Sequence, residues 1–479
     1  MRTLILLLIV TTAMLPAHAS QYSPRDYGAA GDGETLDTAA IQQAIDAASE
    51  AGGGTVLLQS GRFLSGTLVL KDGVTLQIAG DAILLGSTNL DDYPRHVPEL
   101  RSWTDRYTER SLLWAEHARD IALVGPGMID FQGEAFEGGY KDRPYGIRFV
   151  TCQGVRVENI HLRNAAMWMQ HYLGCEDVIH RGVRVWNHAN KNNDAIDIDG
   201  CRNFLLEDFV SDTDDDGITI KTTSHRPNEN LTIRNAVVST FCNAVKFGTE
   251  TIGDIRHVSI ENVWVKPSAA EELTYGTKMG QSGLSIETVD GSILEDVTVR
   301  NMVIDGSQMA IFLRLGDRGR TPTEGEPRKS PGALRDVLIE NVRARPSQPM
   351  GCSISGVTGA AIENLTLRNI TLTHPGGGTE ADIVRDFDEK REHYPTYNML
   401  DHRHPGHGFF FWHVDGLTLE NLRVTAESPD ARPTYAFENV SRVTVDSEPM
   451  TPDKAADLRA YHFLESPPAP ADGEPGEPQ

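Results

Sequence analysis

No C-x-x-C pair occurs anywhere in the chain, so a zinc or thiol-redox site has no support. Cysteine itself is scarce: Cys152, Cys175, Cys201, Cys242 and Cys352 make an odd set of five. An odd number rules out complete internal pairing. Burial as small apolar side chains is the expected fate, with one disulfide open to an oxidising compartment. Positive charge is also short. Lys and Arg number 44 against 68 Asp and Glu, a formal net charge of -24. That balance disfavours nucleic acid and anionic membrane as partners. After the first 19 residues, no apolar run is long enough to span a bilayer. No cofactor is called for, and a monomer is expected.

Residues 1–19 read as a secretory signal: Arg2, an apolar stretch from Leu4 to Leu15, and Ala17-His18-Ala19 as the small-residue cleavage site. The expected location is therefore secreted or periplasmic. Residues 20–465 read as one domain. Residues 466–479, rich in Pro and Gly and poor in apolar residues, read as a disordered tail.

Helical spacing occurs clearly once. Ile41, Ala44, Ile45 and Ala48 share a face between Asp37, a candidate N-cap, and Gly52-Gly53-Gly54. From Val155 onward a different pattern takes over: apolar-x-apolar-x-Asn. Its Asn falls at Asn159, Asn235, Asn262, Asn301, Asn341, Asn369 and Asn421, with Gly182 and Asp208 in weaker copies. Steps of 23, 26, 27 and 27 residues lead from 159 to 262. Such a period, with short alternating strands, predicts an all-β fold: a single parallel β-helix whose open N-terminal end is capped by the helix. A leucine-rich horseshoe fits less well, since no helix accompanies each unit. Two insertions, 316–332 and 379–408, should overhang one face of the stack, where long loops often serve binding. His402, His404 and His407 lie in the second, where lining of the cleft rim is expected over metal binding.

Carboxylates gather in the middle of the repeat. Asn192-Asn193-Asp194 leads into Ala195-Ile196-Asp197-Ile198-Asp199, and Asp214-Asp215-Asp216 leads into Gly217-Ile218-Thr219-Ile220-Lys221. By the repeat, Asp194, Asp215 and Asp216 converge at the mouth of one sheet, with Asn243 stacked beside Asp216. Rungs are ~4.8 Å apart. Three carboxylates that close cannot all ionise easily, and a sugar acetal is hydrolysed by one protonated acid and one ionised base. A calcium site or a solvated acidic ladder is the plainer alternative. By strand alternation Lys221, Lys246 and Arg314 face outward, offering positive potential near the acids, and Glu287 either pairs with Lys246 or binds sugar hydroxyls.

These residues resemble the polygalacturonase family of glycoside hydrolases, family 28, which implies a right-handed parallel β-helix. The family's N-T-D-G-[IV]-D is similar to Asn192–Asp197, and its D-D-[CA]-[IV]-A-[IV]-K to Asp215–Lys221. Asp26–Gly33, the glycine run near Gly53, and Trp168 with His171 ahead of Cys175 also fit. The resemblance implies Asp215 as general acid, Asp194 and Asp216 as holders of the attacking water, and Asn192 and His171 as substrate-binding. It implies an acidic, pectin-type polysaccharide as partner. Two positions depart from the pattern. Asn243 stands where the family has histidine, and Ser285 and Glu287 stand where it has the basic pair that grips galacturonate. Rhamnogalacturonan or branched pectin therefore competes with homogalacturonan as substrate. A β-helical lyase or epimerase, or a non-catalytic glycan-binding solenoid, is the alternative function.

Overall fold

The computed structural model describes residues 20–329, 331–383, 388–400, 403–456 and 458–464. Both the signal sequence and the tail expected at 466–479 lie outside the described residues, as does His402. Within them, 33 strands join one continuous sheet system, the parallel β-helix expected from the repeat. Among these strands only Glu448–Pro449 pairs antiparallel with its neighbour.

From Ile196 on, each coil alternates a short strand with a long one. Ile196–Asp199 leads to Arg202–Thr213, Ile218–Thr222 to Asn228–Thr240, and Val245–Thr251 to Ile255–Val265. The repeated Asn is the reason the long strand can turn a corner. Asn235, Asn262, Asn301, Asn341 and Asn369 all have φ between 53 and 57°. Asn tolerates this left-handed conformation better than other side chains with a Cβ. Their amides then stack: Asn262 Nδ2 donates to Asn235 Oδ1 at 3.1 Å, Asn301 to Asn262 at 3.2 Å and Asn341 to Asn301 at 3.1 Å. A second ladder was not foreseen. Asn203, Asn230, His257, Asp296, Asp336 and Asn364 also have positive φ, one per coil, and they too bond to neighbours, as in Asn230 Nδ2 to Asn203 Oδ1 at 3.1 Å.

Inside, like stacks on like. Ile196, Ile218, Val245, Leu284 and Ile311 form one register row, and Ile198, Ile220, Phe247, Ile286 and Leu313 another. All are buried. A buried branched side chain of this kind contributes roughly 1.5–3 kcal/mol, so such rows supply most of the stacking energy. At the N-terminal end Thr38–Glu50 covers this interior with Ile41, Ala44, Ile45 and Ala48. One detail differs from expectation. Asp37 sits at the N-cap, but its carboxylate accepts from Ala30 N at 2.7 Å and Gly31 N at 2.9 Å rather than from the helix. It ties down the preceding loop instead. The five cysteines are free and buried.

The insertion at 379–408 docks on the side of the stack. Tyr397, Met399 and Leu400 pack with Phe312 of the strand Met309–Leu315 and with Phe410 and Trp412 of the strand Phe409–Glu420. This contact fixes where the preceding Tyr394 stands.

Candidate active site

The turns ahead of the short strands are stitched to one another. Met169 N donates to Asp194 O, Ala195 N to Asp216 O, Gly217 N to Asn243 O, and Ala244 N to Ser282 O, at 2.9, 3.0, 2.9 and 2.9 Å. Asp194, Asp216 and Asn243 therefore occupy equivalent places on consecutive rungs. Asn193 braces the double-aspartate turn. Its Oδ1 accepts from Asp215 N at 3.0 Å, and its Nδ2 donates to Asn187 O at 2.6 Å. Thr213 Oγ1 donates to Asp215 O at 2.6 Å. The acids meet at a pocket of about 230 Å³, which Asn192, Asp194, Asp215, Asp216, Lys221 and Lys246 help to line.

Each carboxyl has a distinct environment. Asp216 is pinned: Lys246 Nζ lies 2.9 Å from Oδ2, and Asn243 donates to Oδ1 from its N at 3.0 Å and its Nδ2 at 2.7 Å. Ser282 Oγ in turn donates to Asn243 Oδ1 at 2.7 Å, fixing the amide's orientation. Asp194 lies 3.7 Å from Lys221 Nζ, which also holds Asp197 at 2.8 Å. Burial pushes Asp194 up to about 6; Lys221 opposes this and Asp216 adds to it. Asp215 keeps part of its surface open to the pocket. Desolvation by the pocket walls, then the neighbouring Asp194 and Asp216, hold its carboxyl well above the usual carboxylate range. The group best placed to carry a proton thus faces the pocket directly.

A kink completes the wall. The register between Ile218–Thr222 and Val245–Thr251 slips after Ile220, so that Thr222 pairs with Thr251. The extra residues bulge out at Gly248, whose φ of 95° suits glycine, and bring Thr249 and Glu250 into the pocket. Burial pushes Glu250 up, but Lys221, Arg318 and Arg320 outweigh it and keep the carboxyl below its ordinary range.

Asp215, Asp216 and Cys242 each place a donor atom within 4.8 Å of the others. The set suits a metal poorly. Burial, then Asp215 and Asp216, hold the Cys242 thiol well above its ordinary value, and Lys246 already neutralises Asp216.

The model of glycosyl hydrolases family 28 matches residues 57–390, more than half of the chain. The chain belongs to glycosyl hydrolase family 28. It is 26% identical over 378 aligned positions to a probable polygalacturonase of Vitis vinifera, covering 72% of this chain and 73% of that one. It is 23% identical over 487 aligned positions to an exo-poly-alpha-D-galacturonosidase of Dickeya chrysanthemi, covering 89% and 74%. The family 28 exopolygalacturonase structure of Yersinia enterocolitica superposes with a TM-score of 0.70 at 21% identity, over 90% of this chain and 79% of that one, and so shares the fold.

In this family 28 hydrolase, several residues stand apart from the roles expected of them. His171 is fully buried behind Trp168 and hydrogen-bonded to Asp199 at 2.9 Å. Burial lowers it to about 4, so it is a neutral core residue and not a substrate contact. Arg314 does face outward, but the insertion covers it. Its guanidinium donates to Gly356 O at 3.1 Å and Glu389 O at 2.7 Å, and it is 1% exposed. It contributes to loop docking, not to the pocket's potential. Glu287 is buried beneath Gly248 and accepts from Ser285 Oγ at 2.5 Å. Burial raises it to about 7, partly offset by Lys246. It supports the floor rather than lining the pocket. Asn192 lines the pocket, with Arg143 Nη2 donating to its Oδ1 at 3.0 Å.

Sequence reasoning missed Tyr107, Tyr140, Tyr275, Arg320 and Tyr394, all of which line the pocket. Arg320 and Tyr394 come from the two insertions, whose overhang was expected without these residues being singled out. Tyr275 comes from a loop between Val265 and Ser282 that carried no signal beyond a long repeat step. Glu250 stands two residues after Gly248 and reaches the pocket through the bulge there.

Proposed function

We propose that this glycoside hydrolase cleaves α-galacturonide bonds of a pectin-type polysaccharide, working from the chain end and inverting the anomeric carbon. Asp215 carries the proton for the leaving oxygen. Asp194 and Asp216 hold and activate the water, with Asp216 held and oriented by Lys246 and Asn243. Asn192 orients a sugar hydroxyl. Catalysis takes place outside the cytoplasm, with the protein acting as a monomer. The observation that carries this reading is the sorting of three neighbouring carboxyls. Burial and like charge raise Asp215, while a lysine and two N–H donors satisfy Asp216. Environments that push paired carboxyls apart separate an acid from a base. End-on action is supported by the small pocket, hemmed by Tyr107 and Tyr140 as well as by Tyr275 and Tyr394. The names of the Dickeya and Yersinia proteins agree with it.

Incubation with homogalacturonan, rhamnogalacturonan and branched pectin, followed by chromatography of the products, tests the proposal. Single saturated galacturonate units should appear from the start. Unsaturated products would indicate a lyase. Binding to these polymers without turnover of any would indicate a glycan-binding solenoid.

A further inference from the structure

We propose that Arg320, brought in by the 316–332 insertion, is the residue that reads the substrate's carboxylate. The inference rests on the galacturonide reading above and adds to it a specificity-determining residue. At the strand where the resemblance calls for a basic pair, this chain has Ser285 and Glu287, bonded to each other and buried. That position supplies no cation to an anion. The cations that line the pocket are Lys221, Lys246 and Arg320. Lys221 is committed: its ammonium touches Asp197 and Asp194 and sits 3.8 Å from the Trp168 ring centroid. Lys246 is committed to Asp216 at 2.9 Å. Both lysines are nearly inaccessible, at 3% and 5% exposed.

Arg320 differs from both. Its side chain is 26% exposed, and one edge, through Nη1, meets Glu250 at 2.5 Å. A guanidinium has five N–H donors in a planar fork, so a second edge remains for a carboxylate. The fork is also held in place. Its Cζ lies 4.6 Å from the Trp103 ring centroid, and the same ring carries Arg106 at 3.8 Å. Arg320 N donates to Asp290 Oδ1 at 2.9 Å, and Arg318 joins the insertion to the bulge through Thr249 O at 2.8 Å. A stacked, pre-positioned arginine loses little freedom on binding a planar anion. The grip that the strand lacks is thus supplied from a loop.

The test is calorimetric binding of galacturonic acid and of its methyl ester to Asp215→Asn protein, with and without Arg320→Gln. Loss of a charged hydrogen-bonded pair should weaken acid binding about tenfold to hundredfold and leave the ester within about twofold. Arg320→Lys keeps the charge without the fork and should fall between. It also guards against a folding defect, which a melting curve on each variant detects. An unchanged acid-to-ester ratio in the Gln and Lys variants would overturn the assignment while leaving the galacturonide reading intact. Failure of the Asp215→Asn protein to bind either sugar, together with no turnover of galacturonides by the wild type, would remove both.

Discussion

Replacing Asp194 by Asn should make the protein more stable and less active, and the stability gain should depend on pH. Asp194 is 3% exposed, and its pKa rises from 3.8 to about 6 on folding, chiefly through burial. Below about pH 4 the carboxyl is protonated in both states, and folding gains or loses nothing by it. Above pH 6 the folded protein must hold an ionised carboxylate in a site that disfavours it, whereas the unfolded chain holds it in water. Stability is therefore lost as pH rises from about 4 through 6. A rise of about 2 units corresponds to about 3 kcal/mol at pH 8. Asn does not titrate and escapes that loss. At about 2.1 cal/mol/K per residue, a chain of this size shifts by roughly 1 °C per kcal/mol, so the variant should melt about 3 °C above wild type at pH 8. At pH 3 that advantage should vanish. Thermal melts of both proteins at the two pH values make the comparison, with kcat measured on the same samples. The same difference at both pH values, or a variant destabilised at pH 8, would refute the claim that Asp194 is held under strain by its site. A variant more stable at pH 8 and less active is the stability–function exchange expected of a catalytic group.

The wild-type kcat/KM should fall below about pH 6 as Asp194 gains its proton, which a pH–rate profile reads directly. Asp215→Asn should lower kcat by about 10²–10⁴ and leave sugar binding nearly intact, since Asn Oδ1 can still accept from Asp216 N, now 2.9 Å away; near-normal turnover would mean another group is the acid. Asn301→Ala should cost about 1–2 kcal/mol for the left-handed backbone and up to about 1 kcal/mol for the ladder bonds. Asn301→Gly should recover the first part only, so equal losses in a denaturant titration would show that φ is not what selects Asn there.

The repeat was legible because a left-handed corner between two sheets admits few residue types. Asn at a step of 27 or 28 therefore marks the corner wherever no loop intervenes. Its companion ladder was not legible, because Asn203, Asp296 and His257 meet the same demand with different side chains. The carboxylates were legible for a related reason. Turns preceding short strands stack with the period of the coil, which places Asp194, Asp216 and Asn243 together without knowledge of the loops. What failed depended on docking. Alternation correctly turned Arg314 outward, but it cannot tell that residues near Glu389 fold back over it. Likewise Tyr394 reaches the pocket because Tyr397, Met399 and Leu400 find an apolar bed on Phe312, Phe410 and Trp412, a long-range packing match with no periodic signature. His171 was misplaced because its outward row is roofed by Trp168 and Tyr145.

The most direct test of the central claim follows the anomeric proton by NMR while a galacturonide of α linkage is cleaved. If Asp215 donates to the leaving oxygen while Asp194 and Asp216 deliver water from the opposite face, the β anomer forms first and mutarotates afterwards. An α anomer as the first product would contradict the assignment of a water-holding pair to Asp194 and Asp216.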